Sequence, residues 1–399
     1  VTDTAQAHRS RLPGVIRSRY VPRLLGSALV GRLPNGMAAI ALVLLVRDRG
    51  GGYAFAGLLA GVYAAGSALG GPILARLVDW TRQAPVLVGG ALASAAGFGA
   101  LTGYRPDRAA LAIGAAALAG FAAPPLEPCL RALWPTVLPD EESLHAAYAL
   151  DAAVQEAIFV AGPLLVLAGI AVAGPAGGVL GCAATGLLGA VAFAAARPSL
   201  AWRAQPAQRH WAGPLRSGPL RRMLLAILLV GATLGSFNVT ITAYAESAAT
   251  RSFAGWLLAA NALGALMSGL VYSTRPPAAD PARRLPWLVA ALAVGYLPLA
   301  AIPAPAWMVP LAILSGLALP PLLTCAFTLV DRLAPAGTVT EAFAWLVTAF
   351  LVGSSAGSAV AGWLLGHGSA PAAVFVGGAG YAAVATLVAR TRRVTAGAG

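Results

Sequence analysis

The stretch from Tyr148 to Gly169 reads YALDAAVQEAIFVAGPLLVLAG. It covers the roughly 20 apolar residues that a helix needs to cross a hydrocarbon core. Three polar residues interrupt it: Asp151, Gln155 and Glu156. An ionised carboxylate at that depth is costly, so an acid placed there is a functional candidate by default.

The rest of the chain has the same character. It is 58% hydrophobic and 10% charged, whereas a soluble domain is about half apolar and a quarter charged. About twelve apolar segments emerge, at 24–46, 53–75, 84–103, 109–130, 146–170, 176–196, 222–245, 252–274, 285–303, 306–330, 340–365 and 371–389. The expected class is an all-α polytopic membrane protein. Prolines 298, 303, 305 and 310 blur the ninth and tenth segments.

The net charge is +13, and every basic residue is an arginine. The arginines crowd into short loops between apolar runs, which is a footprint of membrane topology rather than of nucleic-acid binding. With the N-terminus inside, the inner side holds 21 of the 27 basic residues and the outer side five, with Arg32 inside the first helix. Both termini are therefore expected in the cytoplasm, in a bacterial plasma membrane. The polar, basic stretch 197–221 divides the chain in the middle. The expected organisation is a tail to 23, a six-helix bundle over 24–196, that linker, a second bundle over 222–389, and a tail from 390.

Internal matches support two related halves. FAG at 55–57 recurs at 253–255, and PPL at 124–126 recurs at 320–322. Gly71 matches Gly269, Cys129 matches Cys325, and AYA at 147–149 echoes AFA at 342–344. The offset is nearly constant, and an even number of helices per repeat preserves orientation. Parallel repeats of this kind hold a substrate site between them, near the midplane.

Twelve helices, a six-plus-six repeat and a basic central loop resemble the major facilitator superfamily. The stretch GGPILARLVDWTRQAPVL, 70–87, is similar to the signature between that family's second and third helices. Asp79 stands at the family aspartate, while Ala75, Trp80 and Arg82 replace a glycine, an arginine and a second glycine. The resemblance gives Asp79 a role in gating the cytoplasmic side, with Arg82 beside it. GLVYSTRPP, 269–277, is the matching loop of the second half. Gly162 and Pro163 match the glycine–proline pair of the family's exporters. The overall look is similar to actinobacterial drug or metabolite exporters.

At 1.5 Å per residue, Asp151 lies roughly 8 Å and Glu156 roughly 15 Å into the fifth helix. Both are candidate proton carriers, because burial lets a carboxylate hold a proton near neutral pH. Arg32, about 12 Å into the first helix, must face an acid, a wet cavity or an anionic substrate. It is a substrate candidate with Asn35, which shares its face, and with Gln155, Asn238 and Asn261. The two asparagines can equally serve as helix glue. Glu127 and Arg131 are four apart and can pair along one face. With Asp79 they are expected to form the inner gate, and Glu127 is a third candidate proton carrier. Thr338 and Glu341 have capping-box spacing.

No metal, cofactor or enzymatic chemistry is expected. Cys129, Cys182 and Cys325 lie far apart, no zinc pattern occurs, and a chain without lysine cannot form a P-loop. GSSAG at 353–357 matches a hydrolase pattern but sits inside an apolar helix, where small residues serve packing. The expected function is proton-coupled export of a small amphipathic molecule by a monomer in the lipid bilayer. Uptake of a small anionic metabolite with Arg32 as anchor, and a transporter-like sensor or scaffold, are the alternatives.

Overall fold

The computed structural model describes residue 15 and residues 18–138, 140–204, 210–248 and 251–390, without the side chains at 156, 160, 248, 251 and 252. The carboxylate of Glu156 and most of both tails therefore lie outside the described residues. Among the described residues the secondary structure is entirely helical.

Among the described residues, eleven helical runs are long and apolar enough to span a bilayer. One of them, Glu141–Ala194, is two helices joined at a kink. The spanning segments are α1 (Val21–Asp48), α2 (Tyr53–Trp80), α3 (Gln83–Thr102), α4 (Pro106–Val137), α5 (141–173), α6 (174–194), α7 (Gly218–Ser247), α8 (Phe253–Ser273), α9 (Pro281–Ala301), α10 (Pro305–Leu333), α11 (Val339–Gly366) and α12 (Pro371–Arg390). The α5–α6 turn rests on Gly174 at φ +66°, a conformation that a side chain would strain. Inside the basic stretch lie a short helix, Arg197–Ala201, and a 3-10 turn, Gly213–Arg216.

Three segments expected as continuous helices are interrupted, the first of them α1, which pauses at Leu33 before Pro34. In α4 the helix stops at Phe121 and resumes at Leu126; in α10 it stops at Gly316 and resumes at Leu319. Proline lacks the N–H that would continue the hydrogen-bond ladder, and each PPL motif lies at its break. These two breaks fall at matching places in the two sequence repeats. The two matching cysteines are both buried but bond differently: the Cys129 carbonyl accepts from Gln83 Nε2 at 3.3 Å, whereas the Cys325 thiol donates to the Pro281 carbonyl at 3.4 Å.

Within the first half α1 packs on the α5–α6 pair and α2 on α4; within the second, α7 packs on α11 and α12, and α8 on α10. Apolar burial between helices contributes little in lipid, so close approach of small residues matters more. The α7–α11 contact is built this way. Gly231 and Gly235 lie against the backbones of Phe350 and Ser354, while Gly353 and Gly357 lie against those of Leu228 and Ala232. GSSAG is therefore one side of a helix seam. Gly66 and Gly70 likewise seat α2 on α4, whereas Gly57 and Gly61, at the same spacing, face no neighbour within 4 Å. The halves meet where α2 and α4 touch α11 and where α5 touches α8 and α10.

Candidate functional site

Between the halves' closed end and the rest of the bundle lies a ring of four buried charges. Arg32 Nη1 donates to Asp151 Oδ1 at 2.7 Å, and Arg131 Nε donates to Asp151 Oδ2 at 2.8 Å. Arg131 Nη2 lies 2.5 Å from Glu127 Oε1. Arg32 Nη2 lies 3.1 Å from Glu127 Oε2, an ion pair without hydrogen-bond geometry. Each arginine touches both acids, and each acid touches both arginines. All four residues are buried, so the pairing offsets a desolvation cost that any one of these charges would suffer alone.

Local structure explains how the ring assembles. The break before Leu126 sets Glu127 in the first turn of a new helix, with Arg131 one turn further along the same face. That face meets α1 at Arg32 and α5 at Asp151. The expected i,i+4 pair is therefore present but belongs to a different set: Glu127 and Arg131 join Arg32 and Asp151, not Asp79.

One side of the ring opens on a cavity holding about 760 Å³ of empty space, its open mouth included. Arg32, Asn35, Tyr63, Ser67, Glu127 and Thr348 are among its lining residues. Two donors on this wall lack partners. Arg32 Nε and Tyr63 Oη are both buried and have no hydrogen-bond partner, an unusual state for buried polar groups.

The closed end is held by a second charged set. Asp79, the last acid of α2, accepts from the backbone N–H of Thr340 at 3.2 Å and of Glu341 at 2.8 Å. These N–H groups belong to the first turn of α11, where orphan donors and the helix dipole favour a carboxylate. One turn back, Arg76 donates to Glu341 through Nε at 2.9 Å and Nη2 at 2.5 Å, the bidentate geometry that suits a guanidinium. Trp345 Nε1 also donates to Glu341, at 3.2 Å. The expected capping box does not form: Thr338 Oγ1 donates to the Pro335 carbonyl at 2.7 Å, and Arg76 takes the glutamate. Gly213 leans on this gate at φ +49°, where an added Cβ would lie 2.6 Å from Glu341 Oε2.

The Major Facilitator Superfamily model matches residues 24–340. The chain belongs to that superfamily. No curated protein sequence matches it. Several solved superfamily-like structures share the fold. A bacterial homologue of the iron transporter ferroportin, in an outward-facing state, aligns at TM-score 0.74 and 16% identity over 93% of this chain and 98% of its own. The human organic anion transporter MFSD10 aligns at TM-score 0.70 and 16% identity over 92% and 99%. The transporter FucP, in an outward conformation, aligns at TM-score 0.70 and 15% identity over 95% and 100%. This superfamily member is a transporter and not an enzyme.

The remaining candidates divide. Arg32 and Asn35 line the cavity with Glu127. Asn261 does not; its Nδ2 donates to Ser315 Oγ at 2.8 Å and ties α8 to α10, the helix-glue role. Asn238 is exposed on α7 and Arg82 is exposed past the end of α2, so neither joins a charged set described above. Gln155 is half-buried with Oε1 unpartnered and does not line the cavity. The sequence does not single out Arg76, and it gives Glu341 a capping role in place of the ion pair. Arg76 had a signal, since it precedes Asp79 by one turn of the same helix.

Asp79→Ala removes both acceptors from the start of α11 and should loosen the closed end. Spin labels at Arg82→Cys and Ala336→Cys, in a background without native cysteines, would report it. The expected distance distribution shifts longer; an unchanged distribution would refute the assignment of Asp79 as a gate residue. Gly213→Ala should shift it in the same direction by less.

Proposed function

We propose that the protein is a secondary transporter that moves a small polar anion together with a proton. The observation that carries this reading is the pair of unpartnered buried donors, Arg32 Nε and Tyr63 Oη, on one cavity wall. A guanidinium with spare donors beside a free hydroxyl suits a carboxylate or phosphate. Phe98, Leu126, Leu187, Val347 and Leu351 also line the cavity, so the apolar part of an organic anion has a surface to lie on while its charged end meets Arg32.

The ring supplies the coupling. Two arginines and two acids sum to zero. An anion bound alone would add an uncompensated buried charge, and so would a proton. Bound together they add none, so the cheap loaded state contains both. Glu127 is the carboxylate exposed to the cavity, so it takes the proton; its protonation weakens the Arg32–Glu127 pair and frees Arg32 Nη2 for the substrate. The arginine bias of the loops supports a closed end on the cytoplasmic side, and in this reading the cavity faces outward and loads from outside.

The test is uptake of labelled small carboxylates and phosphates into proteoliposomes under an inward proton gradient. Accumulation that collapses without the gradient, and that Arg32→Ala abolishes, supports the reading. Gradient-independent or absent uptake of every anion sinks it, the second outcome favouring a sensor or scaffold. Tyr63→Phe should raise KM about fivefold to tenfold with kcat little changed, the size of one lost hydrogen bond of about 1 kcal/mol. An unchanged KM would remove Tyr63 from the site.

Export is the second reading, favoured by one observation. Gly162, of the exporter-like Gly-Pro pair, seats α5 against α1 at Gly36 with no room for a Cβ. Resistance of an efflux-deficient host to a toxic panel, lost in Glu156→Gln, would select it.

A further inference from the structure

Arg131 is bound on two sides and covered on a third. Its Nε and Nη2 engage Asp151 and Glu127, while Nη1 is buried without a hydrogen-bond partner. The guanidinium carbon sits 3.5 Å from the ring centroid of Phe327. Arg131 belongs to the first half and Phe327, on α10, to the second. A ring face attracts a cation most strongly where water is excluded, and the guanidinium it covers is the one whose Nη1 has no hydrogen-bond partner. Phe327 does not stand alone. Its ring packs on Tyr148 of α5 at 5.9 Å and on Phe343 of α11 at 6.4 Å, and all three are buried. This aromatic layer joins α5, α10 and α11 directly beside the charge ring.

We propose that Phe327 is the lid that makes the proton site's access depend on the gate. The proposal rests on the proton-coupled reading above. While the halves are closed, the Phe327 ring keeps water off Arg131 and Asp151, and Glu127 communicates only with the cavity. When the halves part at the closed end, Phe327 leaves with the second half. Water then reaches Nη1 of Arg131 and the Glu127 carboxylate that its Nη2 holds, and the proton leaves Glu127 on that side. The proton moves from cavity water to a ring carboxylate and then to water at the other face; no other bond changes. The groups facing Arg131 are Asp151, Glu127, Arg32 through both acids, the Tyr148 ring and Phe327 itself. The aromatic ring therefore does for the proton what the gate does for the substrate.

The experiment reads substrate-independent proton leak in proteoliposomes after an external acid pulse, using a trapped pH dye. Phe327→Leu keeps apolar bulk and removes the π face; it should raise the leak several-fold over wild type. Phe327→Tyr should stay at the wild-type rate. Phe343→Leu removes a ring that does not touch Arg131 and should raise the leak far less. Adding Glu127→Gln to Phe327→Leu should return the leak towards baseline. Matched elution of every variant as a single detergent-solubilised species establishes folding.

A wild-type leak in Phe327→Leu overturns the proposal. So does an equal leak in Phe343→Leu, which would make the layer a simple plug, and so does a leak that survives Glu127→Gln, which would mean a water pore. The assay needs no substrate. Failure of every anion to drive proton uptake would count against the proposed transport, whereas these leak outcomes bear on the lid alone.

Discussion

Asp151→Asn is expected to be among the most destructive single substitutions in the protein, although it changes few atoms. The carboxylate is fully buried and bridges Arg32 and Arg131 at 2.7 and 2.8 Å. Removing its charge leaves two guanidinium groups against one remaining acid, in a place where water cannot compensate. Breaking a buried pair by deleting one partner typically costs 3–5 kcal/mol, about what is measured when an unpaired charge is left inside. Thermal unfolding of the solubilised variant should fall by several degrees, and transport should be lost. Adding Arg32→Gln restores neutrality and should recover much of the stability, with transport still absent. That split separates the ring's structural role from its role in coupling. A lone Asp151→Asn with wild-type stability would mean the ring is hydrated.

Gly353→Val should prevent assembly altogether. A Cβ at Gly353 meets the Leu228 backbone carbonyl of α7, and the next seam position, Gly357, meets Ala232 in the same way. Backbone atoms cannot rotate aside, so the α7–α11 seam must open along its length. Overpacking in a well-filled core costs about 1–3 kcal/mol; a forced separation of two helix backbones exceeds that. The measurement is the yield of monodisperse protein from membranes. Gly362→Ala, on the same helix with nothing within 4 Å, is the control and should express normally. A normal yield from Gly353→Val would show that α7 and α11 are not held by this seam.

Much of this architecture is legible in the sequence because a bilayer imposes simple rules. Segment length follows from hydrocarbon thickness, and the repeated PPL and cysteine positions follow from a repeated fold. An acid in α5 and an arginine in α1 had to find opposite charges, and Arg32 and Asp151 did so. The grouping of the charges was not legible. It depends on the break before Leu126, which turns Glu127 and Arg131 towards α1 and α5. The gate was half legible. Asp79 binds backbone N–H groups of residues 340 and 341, and no sequence pattern specifies a backbone acceptor or donor so distant in the chain. Glu341 had a plausible local partner in Thr338, and a longer-range arginine won because a bidentate pair outweighs a neutral cap. Asn261 lies outside the cavity for a similar reason. A polar residue in a lipid-depth helix satisfies itself with the nearest neighbour, and for Asn261 that was Ser315.

The charge ring has an electrical consequence. All four of its members lie on α1, α4 and α5, in one half, and their charges cancel. Moving one elementary charge through a membrane potential is worth about 2.3 kcal/mol per 100 mV. A neutral ring carried through the field does no such work, and neither does a ring that has taken up one proton and one monoanion. The empty and the loaded molecule should therefore rock at rates indifferent to voltage, and the transport cycle should respond to the pH difference across the membrane while carrying no current.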